Sequence, residues 1–215
     1  MNILAIGAHP DDVEFGCGGT LLKYSKLKHH INLLIMTLGE QGGKGAVRKK
    51  EQMQSAKILR ANVFWRDYKD TKIPVAQKTI ADIEDIIHHV NPQLIFVNFY
   101  DDTHQDHRVV AECTVSATRY IKNVLFYEVP TTQNFNPNVF VDIGDVLTEK
   151  MKLMRAHKSQ VNATRIAGLT IMESAESCAN FRGFQGRVKY AEGFSSLRLS
   201  LFLSIGRRTI DFRRD

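Results

Sequence analysis

The sequence predicts an α/β fold in which a mostly parallel sheet lies between two layers of helices. Short apolar runs, such as those at residues 3–6 and 94–97, alternate along the chain with stretches of helical periodicity. Parallel strands joined by right-handed helical crossovers produce this alternation. Clusters of His and Asp follow both of these runs, and ligands gather where such strands end. We therefore predict a Rossmann-like three-layer sandwich with the strand order 3-2-1-4-5.

The predicted strands are short apolar runs bounded by polar or glycine-containing turns. They cover residues 2–7, 31–37, 62–65, 94–99, 124–128 and 139–143. The first and fourth strands are the expected central neighbours, because in this strand order the connections change direction between them.

The predicted helices have apolar residues at spacings of three and four. They cover residues 18–28, 47–60, 76–89, 107–120 and 146–157. Isoleucines between residues 80 and 87 form one face of the third helix, and Asn91-Pro92 ends it, because the residue before a proline disfavours the helical conformation. Residues 161–196 show less regular patterning, so we predict loops and a lid over the site there.

The C-terminal segment has apolar residues at alternating positions 197, 199, 201, 203 and 205. This pattern predicts a strand, either at the sheet edge or at a subunit contact. The second alternative would make the protein a homo-oligomer. No repeat or low-complexity linker divides the chain. We predict that residues 1–215 form a single domain with a C-terminal extension from about residue 197.

Composition narrows the class of protein. The chain has 215 residues, 43% of them hydrophobic, which suits one globular domain with a full core. Its three cysteines are scattered, which argues against a disulfide framework and favours a reducing compartment. No signal peptide and no apolar run long enough for a membrane span is visible, so a cytoplasmic protein is expected.

The net charge of +6 is mild for this length, and much of it lies near the C-terminus. A solvated basic tail explains it better than nucleic-acid binding, because no basic patch is interleaved with aromatic residues. We therefore expect no nucleic-acid partner.

The first His/Asp cluster, Ala-His-Pro-Asp-Asp at residues 8–12, directly follows the first predicted strand. His9 and Asp12 offer side chains that zinc prefers, and Asp11 would remain uncoordinated beside the metal as a candidate general base. Alternatively, Asp11 and Asp12 cap the next helix and His9 is a loop residue. The glycines that follow, at positions 16, 18 and 19, are expected to let the backbone turn tightly.

The second cluster, residues 101–108, follows the fourth predicted strand and contains His104 and His107. The two clusters meet if their strands are neighbours. His9, Asp12 and one histidine of the second cluster would then form a three-ligand zinc site with an open position, which is typical of catalytic zinc.

Several motifs resemble those of the PIG-L / LmbE family of zinc-dependent deacetylases, which includes the N-acetylglucosaminyl-malate deacetylases of the bacillithiol pathway. Besides the two clusters, they lie at residues 37–40, 48–51, 157–160 and 190–194. The resemblance implies an LmbE-like domain that removes the acetyl group from an N-acetylhexosamine conjugate, with N-acetylglucosamine the expected sugar. It implies an acetylated amino sugar as the small-molecule partner.

The resemblance also implies roles for residues of the two clusters. Metal ligands would be His9, Asp12 and His107, holding Zn²⁺ or another divalent ion such as Fe²⁺. Asp11 would be the general base, and His104 would help to stabilise the oxyanion. Asp106 either orients one histidine from the second shell or caps the helix that starts at His107.

Two further residues have two interpretations each. Arg48 matches a substrate-binding position of some relatives, or it pairs with Glu51. Tyr190 matches a tyrosine near the metal and substrate, or it is a core aromatic. At Asp102 some relatives have tyrosine, so we expect Asp101 and Asp102 to make this rim more acidic. The aglycone of the substrate is not identified by the sequence.

The competing hypothesis is a non-catalytic nucleotide- or sugar-binding module on the same fold. A glycine-rich turn at a helix start could cradle a phosphate. However, the glycines do not have the Gly-x-Gly-x-x-Gly spacing, and this hypothesis leaves the His and Asp residues of the two clusters without a purpose.

Overall fold

The structure is a computed structural model that describes residues 1–200 and the backbone of two short strands beyond them. The strands are β1 Asn2–Gly7, β2 His30–Thr37, β3 Asn62–Tyr68, β4 Leu94–Asn98, β5 Val124–Tyr127, β6 Val139–Asp142, β7 Ala191–Arg198, β8 Ser204–Ile205 and β9 Arg208–Thr209. The α-helices are α1 Asp12–Lys26, α2 Gly45–Leu59, α3 Gln77–Val90, α4 Gln105–Ala117, α5 Leu147–Ala156 and α6 Ile171–Gly186.

The main sheet has seven strands in the order β3-β2-β1-β4-β5-β7-β6. Its first five strands are parallel and confirm the predicted order 3-2-1-4-5. β7 is antiparallel to both of its neighbours, β5 and β6. Because β1 and β4 are adjacent, with Ile6 opposite Val97, the turns that follow them meet at one edge of the sheet.

Helices cover both faces of the sheet, as the predicted three-layer sandwich requires. Alternate residues of β1 point to opposite faces, and both sets are buried. Ile3 packs in the core that α1, α2, α5 and α6 cover, and Leu4 packs in the core that α3 and α4 cover. None of the helices described combines the length and apolarity needed to cross a membrane.

Helix α1 begins at Asp12, whereas the sequence predicted a start at residue 18, so the expected glycine turn was wrong. The glycines lie inside the helix because neighbouring side chains leave no room for a Cβ. A Cβ at Gly16 would overlap the Tyr127 ring, and one at Gly19 would lie 2.9 Å from Cγ2 of Ile143. These glycines therefore serve close packing of α1 against its neighbours.

A buried ion pair joins α1 to α5 and β7. Lys150 Nζ donates to Glu192 Oε1 and to the carbonyl of Phe15, each at 2.6 Å. The Glu192 carboxylate also accepts the amide N–H groups of Gly19 and Thr20, at 2.8 and 2.7 Å. In a regular helix the Gly19 N–H would donate to the Phe15 carbonyl. Here Glu192 accepts that N–H and Lys150 donates to that carbonyl, so the ion pair contacts both groups.

The prediction of loops and a lid across residues 161–196 was wrong for most of that range, which contains α6 and part of β7. Helix α6 starts with a capping box, in which Thr170 Oγ1 accepts Glu173 N–H and Glu173 accepts Thr170 N–H. The Thr-x-x-Glu spacing is visible in the sequence and is a known helix-start signal. Residues 158–170 do form a loop.

The strand predicted from Leu197 is only partly described. Leu197 and Arg198 end β7, which lies between β5 and β6 rather than at the sheet edge. The predicted alternating positions 201 and 203 lie outside the described residues.

Candidate metal centre and active site

The two His/Asp clusters meet where β1 and β4 end. His9 follows β1 in the turn before α1, and His107 lies in the first turn of α4. His9 Nδ1 lies 3.2 Å from His107 Nε2, although the residues are 98 positions apart in the sequence. The neighbouring placement of these strands, predicted from the sequence, therefore brings together the side chains predicted as metal ligands.

Asp12 completes a triangle of ligand-type atoms with these histidines. Its Oδ2 lies 3.6 Å from His9 Nδ1 and 3.4 Å from His107 Nε2, and all three side chains are buried. Ligands held about 2.0–2.2 Å from a tetrahedral zinc lie about 3.3–3.6 Å from one another. The spacing of His9, Asp12 and His107, which we call the acceptor triad, fits three sites around such an ion.

The carboxylates around the two imidazoles strengthen this fit. His9 Nε2 faces Asp70 Oδ1 at 3.0 Å and Asp106 Oδ2 at 3.2 Å, and His107 Nδ1 faces Asp102 Oδ2 at 3.1 Å. Neutral rings that donate to these carboxylates must present lone pairs at their other nitrogens. Two nitrogen lone pairs and a carboxylate oxygen then converge, which is favourable only if a positive charge lies between them.

The pKa shifts of the triad show the same preference for positive charge. Burial alone would lower the pKa of His9, but hydrogen bonds to Asp106, Asp12 and Asp70 raise it well above its usual value. For His107, burial is likewise overcome by Asp12 and Asp102, which raise its pKa to about 9. Without a metal, protons would occupy the site that a cation fits.

A further grouping of histidines lies at the same place. His9, His104 and His107 each present a nitrogen within 4.8 Å of the others. However, His104 Nδ1 already accepts the Asp106 N–H at 3.2 Å. Asp12 Oδ2 also accepts an N–H, that of His9 at 2.9 Å, but a carboxylate oxygen keeps a second lone pair, whereas an imidazole nitrogen has only one. We therefore favour Asp12, whose Oδ2 lies within 3.6 Å of both His9 Nδ1 and His107 Nε2, over His104 as the third ligand.

Two buried carboxylates at this site were missed or misread in the sequence. Asp70, which follows β3, accepts Gln41 N–H at 2.8 Å and contacts His9 as described above. Its position two residues after a strand at the same sheet edge is a signal that could have identified it. Of the two aspartates expected at an acidic rim, Asp101 is partly exposed, but the expectation was wrong for Asp102, which is 3% exposed and accepts His104 N–H as well as contacting His107.

Asp106 lies against His9, and its carboxylate does not cap α4. The cap residue of that helix is His104. The Asp106 carboxylate instead accepts Thr71 N–H at 2.7 Å, beside its contact with His9. Of the two interpretations of Asp106, the helix cap is therefore wrong, and its contact with His9 Nε2 agrees with a carboxylate that orients this histidine.

Asp11 lies beside the triad at the N-terminal boundary of α1, and its side chain is partly exposed. Its side chain makes no capping hydrogen bond, and its φ of 90° places it in the left-handed region. Burial raises the pKa of Asp11 to about 6, against the opposing charge of Arg48. Asp11 therefore holds the N-cap position of α1 but does not cap it through its side chain. Its pKa suits a general base near neutral pH.

His104 packs its ring against both histidines of the triad, with ring centres 4.6 Å from His9 and 4.7 Å from His107. Because its Nδ1 accepts the Asp106 N–H, the neutral ring carries its proton on Nε2. Burial and the two neighbouring histidines lower the pKa of His104. The lowered pKa favours the neutral ring, whose Nε2–H can be donated.

Arg48 and Tyr190, both predicted to bind substrate, have very different positions. Arg48 lines the cleft above the triad, but its guanidinium donates to the carbonyls of Gly39 and Pro10, each at 2.7 Å. The alternative pairing with Glu51 was wrong. Tyr190 packs against the apolar core and is not among the residues that line the cleft, which agrees with its interpretation as a core aromatic.

The cleft has a volume of about 470 Å³ and opens directly above the triad and Asp11. Gln41, Thr131 and Gln160 line it, so the glycine-containing loop after β2 and part of the 158–170 loop form its walls. A volume of this size is typical of small-molecule sites. The phosphate cradle of the competing hypothesis was wrong, because its glycines lie inside α1 and carboxylates occupy the start of that helix.

Comparison with known proteins agrees with this site. The family described as PIG-L, GlcNAc-PI de-N-acetylase, matches residues 4–118, which include both His/Asp clusters. The chain is 35% identical to YaiS of Escherichia coli (strain K12), described as an uncharacterized deacetylase, over 167 residues that cover 73% of this chain and 90% of that protein.

Two other similarities are to proteins with named substrates. A probable N-acetyl-alpha-D-glucosaminyl L-malate deacetylase 2 of Bacillus anthracis is 26% identical over 194 residues, covering 78% of this chain and 84% of that protein. The solved structure of N,N'-diacetylchitobiose deacetylase from Pyrococcus horikoshii has 26% identity and a TM-score of 0.78, covering 91% of this chain and 83% of that one. The family match spans more than half of the chain, and the chain belongs to the PIG-L family of de-N-acetylases.

Proposed function

We propose that this protein is a zinc-dependent hydrolase that removes the acetyl group from an N-acetylhexosamine conjugate. The observation that carries the proposal is the acceptor triad, which lies beside Asp11 at the bottom of an open cleft. The named relatives support the substrate class, because N-acetylglucosaminyl malate and diacetylchitobiose share an acetylated glucosamine.

His9, Asp12 and His107 would hold the metal. When bound there, zinc would polarise the amide carbonyl and lower the pKa of a bound water toward about 7. Asp70, Asp102 and Asp106 would orient the two histidine ligands through their remaining nitrogens. Fe²⁺ would also suit this combination of imidazole and carboxylate ligands.

Asp11 would act as the base, because its carboxylate is beside the triad and is not one of its three ligand atoms. It would accept a proton from the attacking water and later return it to the departing amine. His104 would donate its Nε2–H to the acetyl oxygen as negative charge develops there. A neutral donor is suitable, since it need not lose a proton to make this bond.

The cytoplasm is the compartment that we propose. All three cysteines, Cys17, Cys113 and Cys178, are free thiols. Free thiols persist in a reducing compartment, whereas disulfides are typical of oxidising ones.

Acetate release from a panel of acetylated sugars tests the function. Zinc-loaded protein should release acetate from at least one of free N-acetylglucosamine, N,N'-diacetylchitobiose and N-acetylglucosaminyl malate. Asp11→Asn should retain zinc but lose about 10²–10⁴-fold in turnover, because an amide cannot accept the water proton.

Two results would contradict the proposal. If no sugar of the panel yields acetate while the protein holds stoichiometric zinc, the substrate class is wrong. If Asp11→Asn turns over at nearly the wild-type rate, Asp11 is not the base. Protein that neither retains nor accepts zinc would favour the binding-module hypothesis.

A further inference from the structure

We propose that Arg48 is a positioning residue that fixes Asp11 for proton transfer. The inference rests on the proposed function, which makes Asp11 the base. It differs from the expectation drawn from the family resemblance, in which the same arginine contacts the substrate. The contacts, the backbone conformation of Asp11 and the space around the guanidinium each support it.

Arg48 bonds the two turns of the chain that contain Gly39 and Asp11. Its side chain is 6% exposed, and Nη1 donates to the Gly39 carbonyl at 2.7 Å. Nη2 donates to the Pro10 carbonyl at 2.7 Å and to Asp11 Oδ1 at 3.3 Å. The Pro10 carbonyl belongs to the peptide unit that precedes Asp11, so one guanidinium nitrogen holds both the backbone and the side chain of the base.

Asp11 needs such support because its backbone conformation is unfavourable. Its φ of 90° lies in a region that residues with a Cβ rarely adopt. Its own N–H has only a long contact of 3.4 Å, to Gln52 Oε1. The His9 N–H bond to Asp12 Oδ2 and the Phe15 N–H bond to the Asp11 carbonyl also span this turn, at 2.9 and 3.0 Å. Arg48 adds bonds to the Pro10 carbonyl and the Asp11 carboxylate, which those two bonds do not reach.

The chain leaves space for a guanidinium at this point. Gly39 has a φ of 66°, and a Cβ there would overlap the guanidinium. A Cβ at Gly42 would lie 2.9 Å from Nη1. Arginine can bond several oxygens at once through its planar fork, whereas the single ammonium of lysine cannot reproduce this geometry. The glycine-containing loop is thus fitted to arginine in particular.

Two other roles for Arg48 are possible in principle. Pairing with Glu51 does not occur, because that carboxylate accepts the N–H and the hydroxyl of Ser159. A substrate contact would need a free N–H that reaches the cleft, and Nε, which lacks a hydrogen-bond partner among the described residues, is buried. These roles differ in what they predict for kcat and KM, so kinetics can separate them.

The test compares Arg48→Lys and Arg48→Ala with Lys50→Ala, which removes an exposed cation from the same helix. With N,N'-diacetylchitobiose as substrate, or another active member of the panel, both Arg48 variants should lose about 10²-fold in kcat, since a misplaced catalytic group costs about that much. Their KM should stay within about twofold of wild type. Lys50→Ala should match wild type in both constants.

Amide hydrogen exchange gives a second readout that does not depend on activity. Peptides covering residues 8–15 and 39–43 should exchange faster in Arg48→Ala than in wild type, whereas peptides from α3 should not change. This pattern would show loss of local support rather than general unfolding.

A raised KM with unchanged kcat would overturn the proposal in favour of a substrate contact. Unchanged exchange in residues 8–15 would also overturn it, whether or not any sugar is hydrolysed. If wild type releases no acetate but Arg48→Ala exchanges faster in this turn, the proposed function fails while the support of the turn by Arg48 stands.

Discussion

The protein buries two groups of charged side chains next to α1, one in the acceptor triad and the other at Lys150 and Glu192. In the ion pair, the lysine donates to two oxygens and the carboxylate accepts from three nitrogens. In the triad, two imidazole nitrogens and a carboxylate oxygen face each other, and only a proton or a cation placed between them can satisfy all three. Both groups are almost fully buried, so burial does not distinguish them.

The difference shows which arrangement of buried charge indicates a binding site. A buried cluster whose donors are paired with its own acceptors needs no ligand, and it can only stabilise the fold. Buried acceptors that converge on one point are satisfied only when a proton or a metal cation binds between them. Removal of a member should therefore affect metal binding in the triad and stability in the ion pair.

The largest effect is expected in the triad itself. His107→Ala should abolish stoichiometric zinc binding at micromolar protein, because two ligands cannot replace the three that a catalytic zinc requires. Metal analysis after dialysis against a weak chelator would measure it. Lys150→Met should keep one zinc per chain in the same assay, and equal zinc contents in the two variants would contradict the contrast.

The ion pair should show the opposite behaviour. Lys150→Met leaves the Glu192 carboxylate buried without its cation, which typically costs about 3–5 kcal/mol of unfolding free energy. Urea denaturation of the zinc-free protein would measure this loss. Adding Glu192→Gln to Lys150→Met should recover part of the stability by removing the unpaired charge. A loss below about 1 kcal/mol would show that the pair is dispensable.

The smallest effect is expected one step outside the triad, at Asp102. Asp102→Ala should weaken zinc binding about 10–100-fold, since it removes the carboxylate that orients His107. Asp101→Ala is the matched control, because Asp101 bonds Asn134 and not a histidine. Competition with a fluorescent chelator would give both dissociation constants. Equal affinity of the two variants would refute the orienting role of Asp102.

Much of the fold could be predicted because it depends on local periodicity. The alternation of apolar runs and helical stretches gave the parallel strand order, and the strand order brought His9 and His107 together. Helix α6 was missed because its apolar residues do not lie on one clear face, although its Thr170 and Glu173 capping box could have revealed it.

The supporting residues of the site were harder to predict because their contacts depend on tertiary structure. Asp70 is 61 positions from His9, and no local pattern links them. Asp102 is adjacent in sequence to the half-buried Asp101, yet only Asp102 points inward to His107. The spacing of His and Asp residues indicates ligand chemistry, whereas the partners of each ligand follow from the packing of separate turns.

The glycines inside α1 have a consequence for the order of folding. Each interior glycine lowers intrinsic helix stability by about 1 kcal/mol relative to alanine, so an isolated α1 would be largely unfolded. The side chains that pack against these glycines include Tyr127, Ile143, Leu153 and Glu192, all more than 100 residues later in the chain. Contacts across such long separations form slowly. We therefore expect α1, and with it the metal-binding turn, to become ordered late, after β7 has joined the sheet.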